Sequence, residues 1–193
     1  MPGSGKSTVG RQVARHLKLR FVDSDHEIER RTGMPVRSYF ETQGEAAFRD
    51  LEQQLIAELA VEGGIVLATG GGSVLRAANR EALRAHRRVI YLRATPEELH
   101  RRLRHDTQRP LLQVADPLRR LRELFRERDP LYLQTAHYTV EAARPSVATL
   151  VNMVLMQLEL NGEWQPAPFS AEGDPPAGTS PEGDPPRASG PKR

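Results

Sequence analysis

Met1-Pro2-Gly3-Ser4-Gly5-Lys6-Ser7-Thr8 opens the chain and decides how the rest is read. Gly3, Gly5, Lys6 and Ser7 fill most of the phosphate-loop pattern G-x-x-x-x-G-K-S/T. Glycines let the backbone curl so that successive N–H groups point inward at a phosphate. Lys6 supplies a positive charge to the β- and γ-phosphates, and the Ser7 hydroxyl is a suitable oxygen ligand for Mg²⁺. Val9, Val13 and Leu17 follow at helical spacing, so a helix beginning near Ser7 adds the positive end of its dipole to the same spot. A flexible Gly/Ser-rich terminus is the alternative reading, and the amphipathic continuation speaks against it.

The first glycine of the pattern would stand one place before Met1, and no strand precedes the loop. In an open α/β sheet the strand feeding such a loop is usually buried between neighbours. Removing it exposes two strand edges and a row of apolar side chains, each worth ~1.5–3 kcal/mol. A domain holding ~5–15 kcal/mol in total is not expected to survive that loss. The expectation is that translation starts upstream and that Met1 is an internal methionine.

Beyond the loop, strand and helix signals alternate. Arg20-Phe21-Val22-Asp23, Ile65-Val66-Leu67-Ala68, Val89-Ile90-Tyr91-Leu92 and Tyr138-Thr139-Val140 read as short strands. Between them lie helical segments near 26–31, 36–42, 45–61 and 77–85. Thr95-Pro96-Glu97-Glu98 and Asp116-Pro117 are helix starts, and Ser146 caps a last helix. Asp129-Pro130 is expected to break or offset the helix that begins at Pro117. This pattern predicts an α/β fold, a mainly parallel sheet with helices on both faces. In such sheets the ligand sits beyond the carboxyl ends of the strands. The phosphate loop, Asp23-Ser24-Asp25 and Gly70-Gly71-Gly72 all fall there, and should converge on one cleft.

Asp23 and Asp25 beside a Lys-Ser loop suggest a division of labour. One would support Mg²⁺ through water, and the other would take or orient an acceptor hydroxyl. The plainer reading is an Asx turn capping the next helix. Arg49 lies next to Phe48 on the apolar face of its helix. It offers either a fork for a substrate carboxylate or a surface ion pair with Glu45 or Glu52. Arg128 could close on the same group. The three glycines allow a backbone to approach a ligand, or make an ordinary tight turn. Residues 105–116, around Arg109-Pro110, read as a mobile loop.

Composition narrows the classes further. The chain has 193 residues, enough for one domain with a sizeable core, and no cysteine, which excludes disulfides and thiolate chemistry. No apolar run reaches the ~18 residues of a membrane span, and no secretion signal is evident. A cytoplasmic location is expected. Residues 161–193 are rich in Pro, Gly, Ser and Glu, repeat Glu-Gly-Asp-Pro-Pro, and read as a disordered tail with only Trp164 and Phe169 able to dock. Nine arginines fall between Arg101 and Arg128. They read as solvated helix faces, a nucleic-acid surface without stacking aromatics, or a few side chains converging on an anionic small molecule.

Six runs in register resemble the shikimate kinase family: Gly3-Ser4-Gly5-Lys6-Ser7-Thr8, Asp23-Ser24-Asp25, Gly44-Glu45 with Phe48-Arg49, Leu67 to Val74, Arg109-Pro110-Leu111-Leu112, and Arg128-Asp129-Pro130-Leu131-Tyr132. The resemblance covers residues 1–160. It implies a P-loop fold like that of nucleoside monophosphate kinases, with a mobile lid over about 105–116. It also implies transfer of the γ-phosphate of ATP to the 3-hydroxyl of shikimate, in aromatic amino-acid synthesis. Gly3, Ser4, Gly5, Lys6, Ser7 and Thr8 would wrap the ATP phosphates, with Lys6 on the transferred group. Ser7 would bind Mg²⁺ and Asp23 would support it through water. Asp25 would hydrogen-bond shikimate and is the candidate base. Arg49, Gly71 and Arg128 would fix the substrate. Arg109 would swing in on the lid, and Arg102 could stack on adenine. The partners implied are shikimate and ATP, with no nucleic acid, no membrane and a monomeric state.

Two departures qualify the resemblance. Val140-Glu141-Ala142 stands where the family tends to have an aspartate, so adenine contacts there stay unassigned. The first strand and first glycine are the other. Another small P-loop kinase, of the gluconate or nucleotide type, stays open on sequence alone. So does a non-catalytic remnant that binds nucleotide or nucleic acid. The intact mass of the native protein tests the start site: a mass above 21.6 kDa is expected, and a mass matching 21.6 kDa contradicts the upstream start.

Overall fold

Gly5 leaves the phosphate loop with φ 89°, a left-handed conformation that glycine adopts freely, and hands the chain to helix α1 (Lys6–Leu17). The computed structural model describes residues 1–104, 114–142 and 146–164. Strand β1 (Arg20–Asp23) leads into α2 (Ser24–Thr32) and the long α3 (Val36–Val61). The two helical segments expected around Gly44 are one element with a kink, because Gly44 sits at φ 83° and ψ 167°, outside helical geometry. Strand β2 (Ile65–Ala68), a 3-10 turn over Ser73–Leu75 and α4 (Ala77–His86) come next. Strand β3 (Ile90–Arg93) is followed by α5 (Pro96–Leu103), α6 (Pro117–Thr135), strand β4 (Tyr138–Glu141) and α7 (Val147–Leu160).

The helix starts are those the sequence announces. Thr95 and Glu98 form a reciprocal capping box, Asp116 caps α6 through the Arg119 amide, and Ser146 caps α7 through the Thr149 amide. The break expected at Asp129-Pro130 does not occur: α6 runs through Pro130. Proline removes one backbone donor. Burial of Leu121, Leu124, Arg128, Asp129, Tyr132 and Thr135 along one face holds the helix together around that loss.

The strands form two parallel pairs, β1 with β2 and β3 with β4. Helices flank this layer on both sides, α1 against α7 and α4 against α3 and α6. The apolar core divides in the same way. One cluster is built on β3 and β4 and includes Leu92, Leu99, Leu121, Leu124, Val140 and Val151. The other is built on β1 and β2 and includes Val22, Ile28, Phe48, Leu55, Leu59 and Ile65. A cavity of about 560 Å³ lies between the pairs.

At the other end of α7 the chain returns to the body. Glu163 pairs with Arg88, and Trp164 packs on the larger cluster, the docking expected of that residue. Phe169 and the other residues expected to form the tail beyond 164 lie outside the described residues.

Candidate active site

The phosphate loop is closed on itself by its first carbonyl. The Ser4 hydroxyl (3.0 Å) and the Lys6 ammonium (2.9 Å) both donate to Met1 O. Gly3, at φ 73°, takes a second left-handed step, and a side chain there would strike Leu103 at the end of α5. Left-handed steps alternating with right-handed ones turn successive amides into one concavity, the geometry that holds phosphate. Arg102 donates to Ala142 O and, at 3.5 Å, to Gly3 O. It therefore lies between the loop and the end of β4.

Ser7 and Asp23 meet. The Ser7 hydroxyl donates to Asp23 Oδ2 at 2.6 Å, while Asp23 Oδ1 accepts the Asp25 amide at 3.1 Å. The plainer reading of Asp23 holds, since one oxygen caps α2, and the other oxygen is turned to the phosphate loop. Ser7 and Asp23 make the hard-oxygen pair that Mg²⁺ takes, a cation that keeps several waters and leans on phosphate oxygens. The described residues contain no group of three or more His, Cys, Asp or Glu placed to hold a metal ion by themselves. The hard oxygens of Ser7 and Asp23 fit a Mg²⁺ that takes its other ligands from water and phosphate.

Asp25 keeps contact with solvent at the cleft, yet protein crowds its carboxyl. That desolvation, followed by repulsion from Asp23 and Glu52, raises it to about 6 against the opposing pull of Lys6. A carboxyl at that value is ionised at neutral pH and is a stronger base than an ordinary aspartate.

The turn after β2 gathers the remaining groups. The Gly70 amide donates to Ser24 Oγ at 2.9 Å, which joins this turn to the start of α2. A side chain on Gly70 would sit 2.6 Å from Asp25 Oδ1 and 3.1 Å from Glu52 Oε1. One on Gly72 would sit 2.4 Å from the Arg49 guanidinium. Gly71 O accepts from Arg128 Nη1 at 3.0 Å and from Tyr132 Oη at 2.6 Å. None of the three glycines has positive φ. Close approach, and not an unusual turn, is what requires them.

Arg49 is held from behind. Its Nη1 donates to Glu52 Oε2 at 2.6 Å, Glu45 binds it from the outer side, and Phe40 and Phe48 lie under its cationic plane. This is the ion pair that the plainer reading proposed, but it is not at the surface. Arg49 is 13% exposed and Glu52 1%. Glu52 Oε1 is buried beside Gly70 with no hydrogen-bond partner among the described residues. Arg128 is also buried, and its Nε makes no hydrogen bond. Its height on α6 is set by its neighbour: Asp129 accepts from Tyr91 Oη at 2.8 Å and from Arg93 Nε and Nη2 at 2.9 Å.

The structure thus brings together the loop, Ser7, Asp23, Asp25, Arg49, Gly71 and Arg128. Arg109 lies outside the described residues, as do 105–113 of the expected lid. Sequence reasoning missed Glu52, Ser24 and Tyr132. Glu52 had a signal: it follows Phe48 by four and precedes Leu55 by three, a charge set into an apolar stripe.

A family model described as shikimate kinase matches residues 2–159. The chain belongs to the shikimate kinase family. The shikimate kinase of Paracidovorax citrulli is 56% identical over 172 residues, covering 87% of this chain and 93% of that one. That of Ralstonia nicotianae is 58% identical over 160 residues, covering 83% and 84%. Among solved structures, the shikimate kinase of Acinetobacter baumannii in complex with shikimate superposes with a TM-score of 0.78 at 44% identity, covering 84% of this chain and 90% of that one. Family membership and the P-loop α/β fold expected from the six sequence runs are therefore both established.

The charge balance around Asp25 gives a test. In metal-free, nucleotide-free protein, carboxyl NMR should show Asp25 titrating near 6. Glu52→Gln should lower that value by removing a repulsive charge, and Lys6→Ala should raise it. An Asp25 that titrates near 4 in all three proteins would contradict this picture.

Proposed function

We propose that this cleft transfers the γ-phosphate of ATP to the 3-hydroxyl of shikimate, with the roles of its residues as follows. Gly3, Ser4, Gly5, Lys6, Ser7 and Thr8 hold the ATP phosphates through amides and the α1 dipole, with Lys6 on the transferred group. Mg²⁺, held by the Ser7 hydroxyl and by Asp23 through water, neutralises phosphate charge when bound. Asp25 binds shikimate hydroxyls and accepts the proton of the 3-hydroxyl as the oxygen attacks. Arg49 and Arg128 hold the carboxylate, with Gly71 presenting Arg128 to it. Arg102 lies beside the loop, where an adenine ring can stack on it. Arg109 reaches the phosphates from the lid and excludes water as the lid closes.

The observation that carries this reading is the turn at Gly70–Gly72. It packs on Asp25, on Arg49 and on Arg128 at once, which supports reading them as a base and two carboxylate-binding forks of one site. Two guanidiniums suit a substrate that carries a carboxylate, as shikimate does.

Several finer points complete the proposal. Residues 1–160 form the kinase domain and 161–193 a tail. The enzyme works as a monomer in the cytoplasm, without nucleic acid or membrane. No described helix is long and apolar enough to cross a membrane.

Purified protein should release ADP from Mg-ATP only when shikimate is present, and Lys6→Ala should lose turnover by about 10²-fold or more, as removal of a charge-stabilising donor does. Omitting Mg²⁺ should stop the reaction. ADP release indifferent to shikimate, or none from a chain that binds ATP and stays folded, would contradict the assignment.

A further inference from the structure

We infer that Arg93 is a specificity-determining positioning residue: by neutralising the buried Asp129 it reserves Arg128 for the carboxylate of the substrate, an effect that rests on the role proposed for Arg128. The strand dictates the arrangement. Tyr91 and Arg93 stand two apart on β3, so their side chains leave the same face and reach one residue of α6. Asp129 Oδ1 accepts from Tyr91 Oη at 2.8 Å and from Arg93 Nε at 2.9 Å, and Oδ2 accepts from Arg93 Nη2 at 2.9 Å. This is the two-pronged fork that a guanidinium makes with a carboxylate and an ammonium cannot. Arg93 also pairs with Glu141 at 3.5 Å, but that side chain is 61% exposed and water screens its charge. Asp129 is the buried partner, only 8% exposed.

Burial makes the pairing necessary. A carboxylate taken out of water must be paired or give up its charge. Burial by itself would raise the Asp129 carboxyl, yet the bonds from Arg93 and Tyr91 hold it below the usual carboxylate range, so it stays ionised. Arg128 precedes it on α6 and is as deeply buried. It turns the other way, donating Nη1 to Gly71 O at 3.0 Å. Tyr132 donates to the same carbonyl at 2.6 Å, and its ring stacks on Tyr91 with centroids 4.7 Å apart. The Asp129 cluster and the Arg128 cluster are therefore one packed unit holding charges of opposite sign. Without Arg93, Asp129 is an uncompensated negative charge behind Arg128. That charge opposes an acid substrate and offsets the attraction of Arg128, whereas a neutral ligand is indifferent to it. Arg93 thus acts through Asp129 on which charge the site accepts.

The test compares shikimate with its neutral methyl ester, by NMR titration of the full chain without nucleotide, at about pH 8, well above the carboxylate range. Arg93→Gln should weaken shikimate about tenfold and leave the Kd of the ester unchanged. Adding Asp129→Asn to Arg93→Gln removes the stranded charge and should return shikimate to within about threefold of wild type. Asp129→Asn alone strands no carboxylate and should also bind shikimate within about threefold of wild type. A pair that only packs α6 on β3 predicts otherwise: acid and ester weaken alike, and the second substitution makes both worse. That result overturns the inference. So does an Arg93→Gln protein that binds shikimate as wild type does, or an Asp129→Asn protein that loses the acid alone. Wild-type protein that binds acid and ester equally would take the carboxylate away from Arg128, and the inference would fall with that role.

Discussion

Three consecutive residues without side chains set the geometry of this site. The backbone at Gly70–Gly72 lies so close to Asp25, Glu52 and Arg49 that a single methyl group at position 70 or 72 would overlap charged atoms. Its carbonyl at Gly71 fixes Arg128 and Tyr132 of α6, and its amide at Gly70 fixes Ser24 of α2. Residues from α2, α3 and α6 are therefore indexed to one turn at the carboxyl end of β2. A shift of that turn moves Asp25, Arg49 and Arg128 together.

Charge balance is the second condition. Asp23, Asp25 and Glu52 stand with Lys6, Arg49 and Arg128, three carboxylates against three cations. Glu52 is buried and Arg49 largely so, and a pair of this kind is weak evidence for stability. Its value is positional: Glu52, Phe40 and Phe48 leave the guanidinium one place to be. The same crowding raises Asp25 to about 6. Burial likewise pushes the Tyr132 phenol up to about 12, which keeps it a neutral donor to Gly71 O. The packing that positions Asp25 and Tyr132 also sets their protonation.

Much of this was legible in the sequence, for identifiable reasons. The phosphate loop is local, so its glycines, Lys6 and Ser7 declare it without tertiary information. Helix starts at Thr95, Asp116 and Ser146 are equally local, and all three hold. Asp23 could be assigned two roles but not both at once, because only the packing of α1 against β1 brings Ser7 to its second oxygen. Glu52 was hidden by its type: charges are read as surface, and its burial follows from Arg49 and the glycine turn 18 residues on. Pro130 misled because proline is a local signal, whereas α6 is held by its buried face. The division of the strands into two pairs is legible only in three dimensions.

The most direct measurement of the central claim is calorimetric titration of shikimate into Gly72→Ala. Gly72 sits at φ −100° and ψ −7°, where alanine is comfortable, so the substitution adds one methyl and no backbone strain. The account predicts that the displaced Arg49 loses its bond to the carboxylate. A charged hydrogen bond worth ~1.5–3 kcal/mol makes shikimate binding about tenfold weaker or worse. Affinity for ATP should be unchanged. Wild-type shikimate affinity in a folded Gly72→Ala protein would contradict the claim that this turn positions the substrate.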